Sequence, residues 1–226
     1  VPQPEYSHEL APTDFAATHN GYVQGKPTDY NRDVALDVTQ LLAFLQSTQP
    51  KAVDTLELAA DGIKRTQFLH RLQGEITKRG VVDVLRKGVS HGPVHVDLYK
   101  LLPTPGNAAA ADAFGKNIFS VTRQVRYSNE SGNELDLAIF INGLPVLTFE
   151  LKNSLTKQTL ADAIVQYQTT RSPQELLFQL GLCVAHIAVD DVEAAFCTEL
   201  RARPRGSCHL TRAGTAALAT HPIRMV

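Results

Sequence analysis

The chain has 226 residues, 43% of them apolar, and its 22 basic residues nearly cancel its 23 acidic ones to leave a formal charge of -1. The length suits one sizeable α/β domain, and the apolar share is ordinary for a soluble globular protein. The near-neutral charge argues against a dedicated nucleic-acid coat protein, although an enzyme that acts on DNA needs only a local basic surface.

The cysteines and the apolar segments indicate a cytoplasmic protein. Cys183, Cys197 and Cys208 are odd in number and lack the spacing typical of zinc sites, so we interpret them as reduced thiols. No apolar stretch is long enough to cross a bilayer, and the N-terminus lacks the basic start and apolar core of a signal peptide. We therefore expect no membrane partner.

The first part of the chain predicts loops and then two helices. Residues 1–35 are rich in Pro, Asp, Asn and Gly and predict loops with at most one short helix. Leucines at helical spacing predict a helix over residues 37–46, which Pro50 is expected to end. A longer apolar stripe predicts a second helix over residues 54–79, within which Gly62 is a candidate break.

Alternating apolar and polar residues predict two strands, over residues 94–101 and 118–127. Between them, the alanine run at residues 107–111 follows a loop rich in Pro and Gly, so it predicts the start of a helix.

The most informative stretch is a predicted hairpin. Residues 135–141 and 144–151 predict two strands, and the Asn142-Gly143 pair between them favours a type I′ turn, whose two central positions need positive φ. The chain then predicts a helix and a buried strand, over residues 159–170 and 182–189.

Three charged residues lie at the open end of this hairpin. Asp136 begins one strand, and Glu150 and Lys152 end the other, two residues apart and therefore on one face. Mg²⁺ prefers one or two carboxylates and keeps several waters, and the main-chain carbonyl of Leu151 is a candidate third ligand. A lysine beside such a metal can orient or activate the attacking water. The pattern is typical of a magnesium-dependent nuclease.

A structural interpretation of the same residues stays open at this point. Glu150 and Lys152 interrupt an otherwise apolar strand, and a salt bridge between them at its frayed end would equally explain both charges.

Further motifs carry a resemblance to a known family. They are TRQVRYS at 122–128, ELDL at 134–137, FINGLPV at 140–146, ELKN at 150–153, QTLADAIVQY at 158–167 and HIAVD at 186–190, with NGYV at 20–23, TQP at 48–50 and LRKG at 85–88 upstream. The chain resembles, over roughly its first 200 residues, the N-terminal domain of the restriction subunit of type I restriction enzymes.

The resemblance implies a fold, an activity and a set of site residues. The fold is that of the PD-(D/E)xK nuclease group, an α/β domain with a mixed central sheet flanked by helices, here over residues 1–200. The activity is Mg²⁺-dependent hydrolysis of phosphodiester bonds in double-stranded DNA. The family's two metal-binding carboxylates fall on Asp136 and Glu150, and its catalytic lysine falls on Lys152.

The family's Q-x-x-x-Y pattern is only partly present. Gln166 matches the glutamine and is a candidate catalytic residue, although a solvated helix glutamine is the alternative. The tyrosine position holds Thr170, while Tyr167 lies directly after Gln166. Three arginines are candidate contacts to DNA phosphates, with ordinary surface charges as the alternative. They are Arg123, Arg126 and Arg171.

The chain lacks the G-x-x-x-x-G-K-[ST] loop that binds nucleotide phosphates. In the family, ATP binding and translocation belong to later domains of the full subunit, and DNA recognition belongs to the modification and specificity subunits, which are the expected partners. The alternative function is a non-catalytic module, a truncated remnant that docks on DNA or on those subunits.

The resemblance stops after Leu200, and residues 201–226 form an anomalous segment. A reverse translation shifted by one nucleotide encodes GKASWFLP, which is close to the segment that family members carry at this position. We therefore interpret residues 201–226 as a frameshifted, poorly packed tail, with a genuine divergent tail as the alternative.

Overall fold

A computed structural model describes residues 21–152, residues 158–200 and the backbone of residues 211–213. These parts form a seven-stranded mixed sheet flanked by helices, with two separate two-stranded sheets. The predicted α/β architecture of the PD-(D/E)xK group is confirmed. The loops predicted for residues 1–20 and most of the predicted tail lie outside the described residues.

The strands are β1 Val23–Gln24, β2 Tyr30–Asn31, β3 Leu36–Asp37, β4 Val89–His91, β5 Val94–Val96, β6 Phe119–Arg126, β7 Glu134–Ile141, β8 Leu144–Leu151, β9 Ala185–Val189, β10 Ala194–Cys197 and β11 Thr211–Ala213. The α-helices are α1 Val38–Thr48, α2 Pro50–Thr55, α3 Ile63–Arg79, α4 Val81–Lys87, α5 Ala108–Phe114 and α6 Leu160–Thr169, and Pro27–Asp29 and Leu176–Phe178 form 3₁₀ turns. Among the described residues, no helix has the length and apolar character needed to cross a membrane.

The main sheet has the strand order β1-β6-β7-β8-β9-β10-β11. Short connections make β6, β7 and β8 an antiparallel meander. β8 and β9 run parallel, which requires a crossover, and α6 lies in that connection. The Thr148 side chain contacts α6, while the preceding residue, Leu147, lines a cavity with Val82 and Leu85 of α4. Because side chains alternate along a strand, α6 and α4 cover opposite faces of β8.

The predicted turn between β7 and β8 is confirmed. Asn142 and Gly143 have φ values of 51° and 81°, as a type I′ turn requires. A Cβ at Gly143 would lie 2.3 Å from the Asp37 carbonyl oxygen, so only glycine fits here. The buried Asn142 side chain accepts the Ile118 N–H at 2.7 Å and donates to the Leu98 carbonyl at 2.9 Å. The turn is thereby tied to the core.

The helix predicted over residues 54–79 is wrong at its beginning. Pro50 does not simply end α1 but opens α2 at the first helical position, where its missing N–H costs nothing. Glu57, at φ 51°, takes the left-handed conformation that ends α2, and the next helix begins only after Gly62. The apolar stripe continues across the gap because Leu58 is buried in the turn itself.

The strand predicted over residues 94–101 is also wrong beyond β5. From Asp97 onward, side-chain amides form the backbone hydrogen bonds that a neighbouring strand would otherwise form. Gln49 accepts the Asp97 N–H at 2.8 Å and donates to its carbonyl at 2.7 Å. Asn117 binds the N–H and carbonyl of Lys100 in the same way. Beyond β5, the alternating pattern therefore marks a partly buried segment that belongs to none of the sheets.

The last predicted strand, residues 182–189, is shorter in the structure as β9, and two strands follow it rather than none. β10 pairs antiparallel with β9, and β11 pairs antiparallel with β10 at the sheet edge. The backbone of residues 211–213 thus continues the sheet, within the segment for which a frameshift stays a prediction.

Asp37 is a buried carboxylate, and its replacement with asparagine is expected to stabilise the protein. One of its oxygens caps α1 by accepting the Gln40 N–H at 3.0 Å, and the other has no hydrogen-bond partner among the described residues. Burial raises the pKa of Asp37 from 3.8 to about 6. The folded state therefore holds this proton more tightly than the unfolded chain, and the free energy of unfolding falls, by up to about 3 kcal/mol, as the pH rises through this interval.

Asp37→Asn keeps a good helix cap but carries no charge. Urea unfolding should show it about 1–2 kcal/mol more stable than the unmodified chain at pH 7.5, with a smaller gain at pH 5. A variant that is less stable at pH 7.5 would show that the Asp37 charge is compensated.

Candidate active site

Asp136 and Glu150 face each other across the β7–β8 hairpin. The two strands pair Leu137 with Phe149. The same register carried one residue further sets Asp136 opposite Glu150, and residues directly opposite in an antiparallel pair share a face. The structure therefore brings together the two carboxylates that the sequence proposes as metal ligands.

The Asp136 carboxylate is fixed by the end of β8. Its Oδ2 accepts the backbone N–H of Leu151 at 2.7 Å, and the side chain is half-buried. The candidate backbone ligand, the Leu151 carbonyl, belongs to the same residue as this N–H. The main chain at the end of β8 therefore fixes the orientation of the Asp136 carboxylate.

Glu150 is buried completely, at 0% exposure. Its Oε1 accepts a hydrogen bond from Nε of Arg171 at 2.7 Å, whereas Oε2 has no partner among the described residues. The ion pair that Glu150 forms is with Arg171. The salt bridge to Lys152, left open as an alternative by the sequence, is therefore not the arrangement that satisfies Glu150.

Arg171 lies inside the protein, with its side chain 3% exposed. Nη1 donates to the Tyr127 hydroxyl at 2.9 Å, and Nη2 donates to the Glu134 carbonyl at 2.7 Å. The guanidinium carbon also lies 5.2 Å from the centre of the Tyr127 ring. This corrects the DNA contact predicted for Arg171, because a guanidinium enclosed in this way does not reach a phosphate outside. The sequence offered little to indicate this buried role, because it shows only a single arginine just after the helix that covers β8.

The electrostatics of this cluster favour a cation. Burial raises the pKa of Glu150 to about 7, the Arg171 hydrogen bond and charge oppose that rise, and both the charge of Asp136 and its close side-chain contact with Glu150 add to it. With both carboxylates ionised, one guanidinium leaves an excess negative charge in a largely desolvated place. A divalent cation beside Asp136 and Glu150 would compensate it.

Lys152 directly follows β8, and its ammonium acts electrostatically on Asp162 of α6. Its backbone N–H donates to the Val189 carbonyl at 2.8 Å, and its side chain is half-buried. The Thr159 backbone and hydroxyl, together with the Lys152 ammonium, hold the pKa of Asp162 below its usual value. Lys152 directly precedes residues 153–157, which lie outside the described residues.

Gln166 lies half-buried on α6, and its neighbour Tyr167 is part of the core. The Tyr167 hydroxyl lies 3.0 Å from Oγ1 of Thr148, which lies 2.7 Å from Nδ1 of His186. Burial lowers the pKa of His186 to about 4, so the ring is neutral and structural. His186 is therefore a core histidine rather than a metal ligand. Thr170, at the expected tyrosine position, is exposed and bonds the Gln166 carbonyl through its hydroxyl.

The other two predicted DNA contacts lie on β6. Arg126 is exposed and pairs with the Glu134 carboxylate at 2.6 Å, while Arg123 is half-buried. Arg126, Gln124 and Arg32 line a surface cleft of about 380 Å³. Gln124 has φ 49°, a strained conformation for this residue type, and the β6–β7 register sets it opposite Asp136. The cleft therefore lies one strand away from the carboxylates.

The donor set at the carboxylates fits a hard divalent cation. It combines an unpartnered oxygen of Glu150, the Asp136 carboxylate and the adjacent Leu151 carbonyl. Mg²⁺ takes such oxygen ligands and retains waters, so two carboxylates are sufficient. No group of three or more His, Cys, Asp or Glu side chains suited to a metal occurs within the described part of the chain.

One comparison with known proteins is informative. The family model described as the type I restriction enzyme R protein N terminus matches residues 22–205. No curated protein matches the chain. The matched range begins just before β1 and runs past β10, so it contains the whole candidate site. The chain therefore belongs to the family of type I restriction enzyme R protein N-terminal regions.

Proposed function

We propose that this chain is a Mg²⁺-dependent endonuclease domain that hydrolyses phosphodiester bonds of double-stranded DNA. The observation that supports this most is Glu150, a fully buried carboxylate with one unpartnered oxygen beside a second carboxylate, Asp136. Arg171 compensates only one of the two carboxylate charges, so a second cation beside Asp136 and Glu150 is favourable when both are ionised.

Each residue has a distinct role in the proposed reaction. Asp136, Glu150 and the Leu151 carbonyl hold Mg²⁺, which when bound stabilises charge on the scissile phosphate and makes water a better nucleophile. The Nζ of Lys152 orients the attacking water by a hydrogen bond. Gln166 lies on α6, the helix that covers β8, and its side-chain amide is proposed as a further catalytic hydrogen-bonding group of the site.

Arg126 is proposed to position the DNA, because Arg123, three residues earlier on β6, projects from the opposite face of the sheet. Guanidinium groups pair well with phosphates, and Arg126 lines the cleft one strand from Asp136. These contacts fix the backbone of the duplex and carry no sequence information. Sequence recognition therefore falls to partners, which the family indicates are the modification and specificity subunits of a cytoplasmic restriction complex, with ATP-driven translocation in other domains of the full subunit.

The experiment is a Mg²⁺ titration with supercoiled plasmid DNA, comparing the chain with Glu150→Ala and Glu150→Gln. The glutamine variant keeps an oxygen for Arg171, so its loss of cutting cannot be ascribed to an unpaired arginine. We expect cleavage that saturates with Mg²⁺ and falls by about 10³-fold or more in both variants.

One observation favours a second candidate, a non-catalytic docking module: the complete burial of Glu150 beneath Arg171. A chain that binds duplex DNA or the partner subunits, but does not cut at any Mg²⁺ concentration, would support the docking module and overturn the nuclease proposal.

A further inference from the structure

Arg171 makes the most extensive set of polar contacts around the candidate site. Its three guanidinium nitrogens have three different partners: Glu150 Oε1, the Tyr127 hydroxyl and the Glu134 carbonyl. Tyr127 is itself buried at 2% exposure, and its hydroxyl also lies 3.4 Å from the Thr170 carbonyl. The guanidinium plane is therefore fixed by groups from β7, from β8 and from the residue after β6.

In this arrangement the two carboxylate oxygens of Glu150 have different environments. Oε1 is held by Arg171, whereas Oε2 accepts a hydrogen bond from no donor among the described residues, and the Asp136 carboxylate lies within hydrogen-bonding reach of the Glu150 carboxylate. A carboxylate with one oxygen already engaged offers the other as a single ligand. The planar fork of an arginine fixes that geometry, because its donors point in set directions.

We infer that Arg171 is a positioning residue of the metal site: clamped by Tyr127 and the Glu134 carbonyl, it turns Glu150 so that Oε2 alone serves as a metal ligand. The inference rests on the proposed nuclease function and its metal site. Partners that orient a metal ligand commonly govern affinity for the metal, and their replacement costs about 10- to 100-fold.

The test measures metal binding without DNA. Isothermal titration calorimetry with Mn²⁺ as the probe is applied to the whole chain, to Arg171→Lys and to Tyr127→Phe. Lysine keeps the positive charge but cannot reach three partners in a plane. Phenylalanine keeps Arg171 and the ring but removes the hydroxyl that anchors Nη1. Arg86→Lys, at an exposed arginine of α4, is the control.

We expect Arg171→Lys to weaken Mn²⁺ binding by about 10- to 100-fold, Tyr127→Phe to weaken it by a smaller factor, and Arg86→Lys to leave it unchanged. A folded Arg171→Lys chain with unchanged affinity overturns the inference, because charge alone would then be sufficient. If Arg171→Lys does not fold, Tyr127→Phe decides: unchanged affinity overturns the inference. An unmodified chain that binds no Mn²⁺ overturns it as well.

Failure of this inference and failure of the proposed function give different results. If the unmodified chain cuts DNA and Arg171→Lys binds Mn²⁺ equally well, the nuclease proposal stands and the role of Arg171 fails. If Mn²⁺ binding depends on Arg171 as expected but the chain never cuts DNA, the positioning role stands and the nuclease proposal fails.

Discussion

Asp136→Asn is expected to reduce Mg²⁺-dependent DNA cleavage by about 10³-fold or more while leaving the protein as stable as before, or more stable. The carboxylate lies beside the buried Glu150, and its charge raises the pKa of Glu150, which shows that the two groups repel each other when ionised. An asparagine removes that repulsion. Its side-chain oxygen can still accept the Leu151 N–H that Asp136 accepts at 2.7 Å.

The measurement pairs a plasmid-nicking rate with urea unfolding of the same preparation. Asp112→Asn, at an exposed aspartate of α5, is the matched control and should change neither quantity. Loss of cutting together with loss of folding would indicate that Asp136 has a structural role. Cutting at the unmodified rate would remove Asp136 from the site.

The hairpin that carries the carboxylates could be predicted from the sequence, because Asn142 and Gly143 favour one turn type. The turn alone does not set Asp136 opposite Glu150, since its register, which pairs Ile141 with Leu144, would set Asp136 opposite Phe149. The register shifts by one residue between Ile139 and Phe140, and only beyond this irregularity does the pairing bring the two carboxylates to one face. That shift could not be predicted from the two-residue period of the strands.

The environment of that pair could not be predicted, because it depends on distant contacts. Arg171 follows Glu150 by 21 residues and reaches it only because α6 ends above β8. Its other partners, Tyr127 and Glu134, flank the connection between β6 and β7, which lies at the same end of the sheet as Glu150 but far from Arg171 in the sequence. An arginine after a helix has the pattern of an ordinary surface charge, which is why the predicted DNA contact was wrong.

The same reasoning explains the strand error after β5. The alternating pattern correctly indicates which side chains are buried, but Gln49 and Asn117 supply the hydrogen bonds that a neighbouring strand would have supplied. Gln49 lies 48 residues away from Asp97, so no local pattern reveals the substitution. Periodicity indicates burial reliably, whereas sheet membership depends on tertiary partners.

Lys152→Met is expected to reduce cleavage by about 10²- to 10⁴-fold while Mn²⁺ binding changes little. Methionine keeps the length of the side chain and removes only the ammonium, which we propose to orient the attacking water. This result would separate the lysine from Asp136 and Glu150, whose replacement should abolish metal binding and cleavage together.

The electrostatic interaction of Lys152 with Asp162 suggests an alternative role for the lysine, which the same variant tests. If the ammonium serves mainly to stabilise the first turn of α6, Lys152→Met will unfold at lower urea concentration and still cut at the unmodified rate. Asp162→Asn resolves the choice from the other side, because an asparagine oxygen can still accept the Thr159 N–H that Asp162 accepts at 2.7 Å. Releasing Lys152 from that charge should make cleavage faster if the lysine acts at the carboxylates, because Asp162 then no longer competes for the ammonium, whereas an unchanged rate would count against that competition.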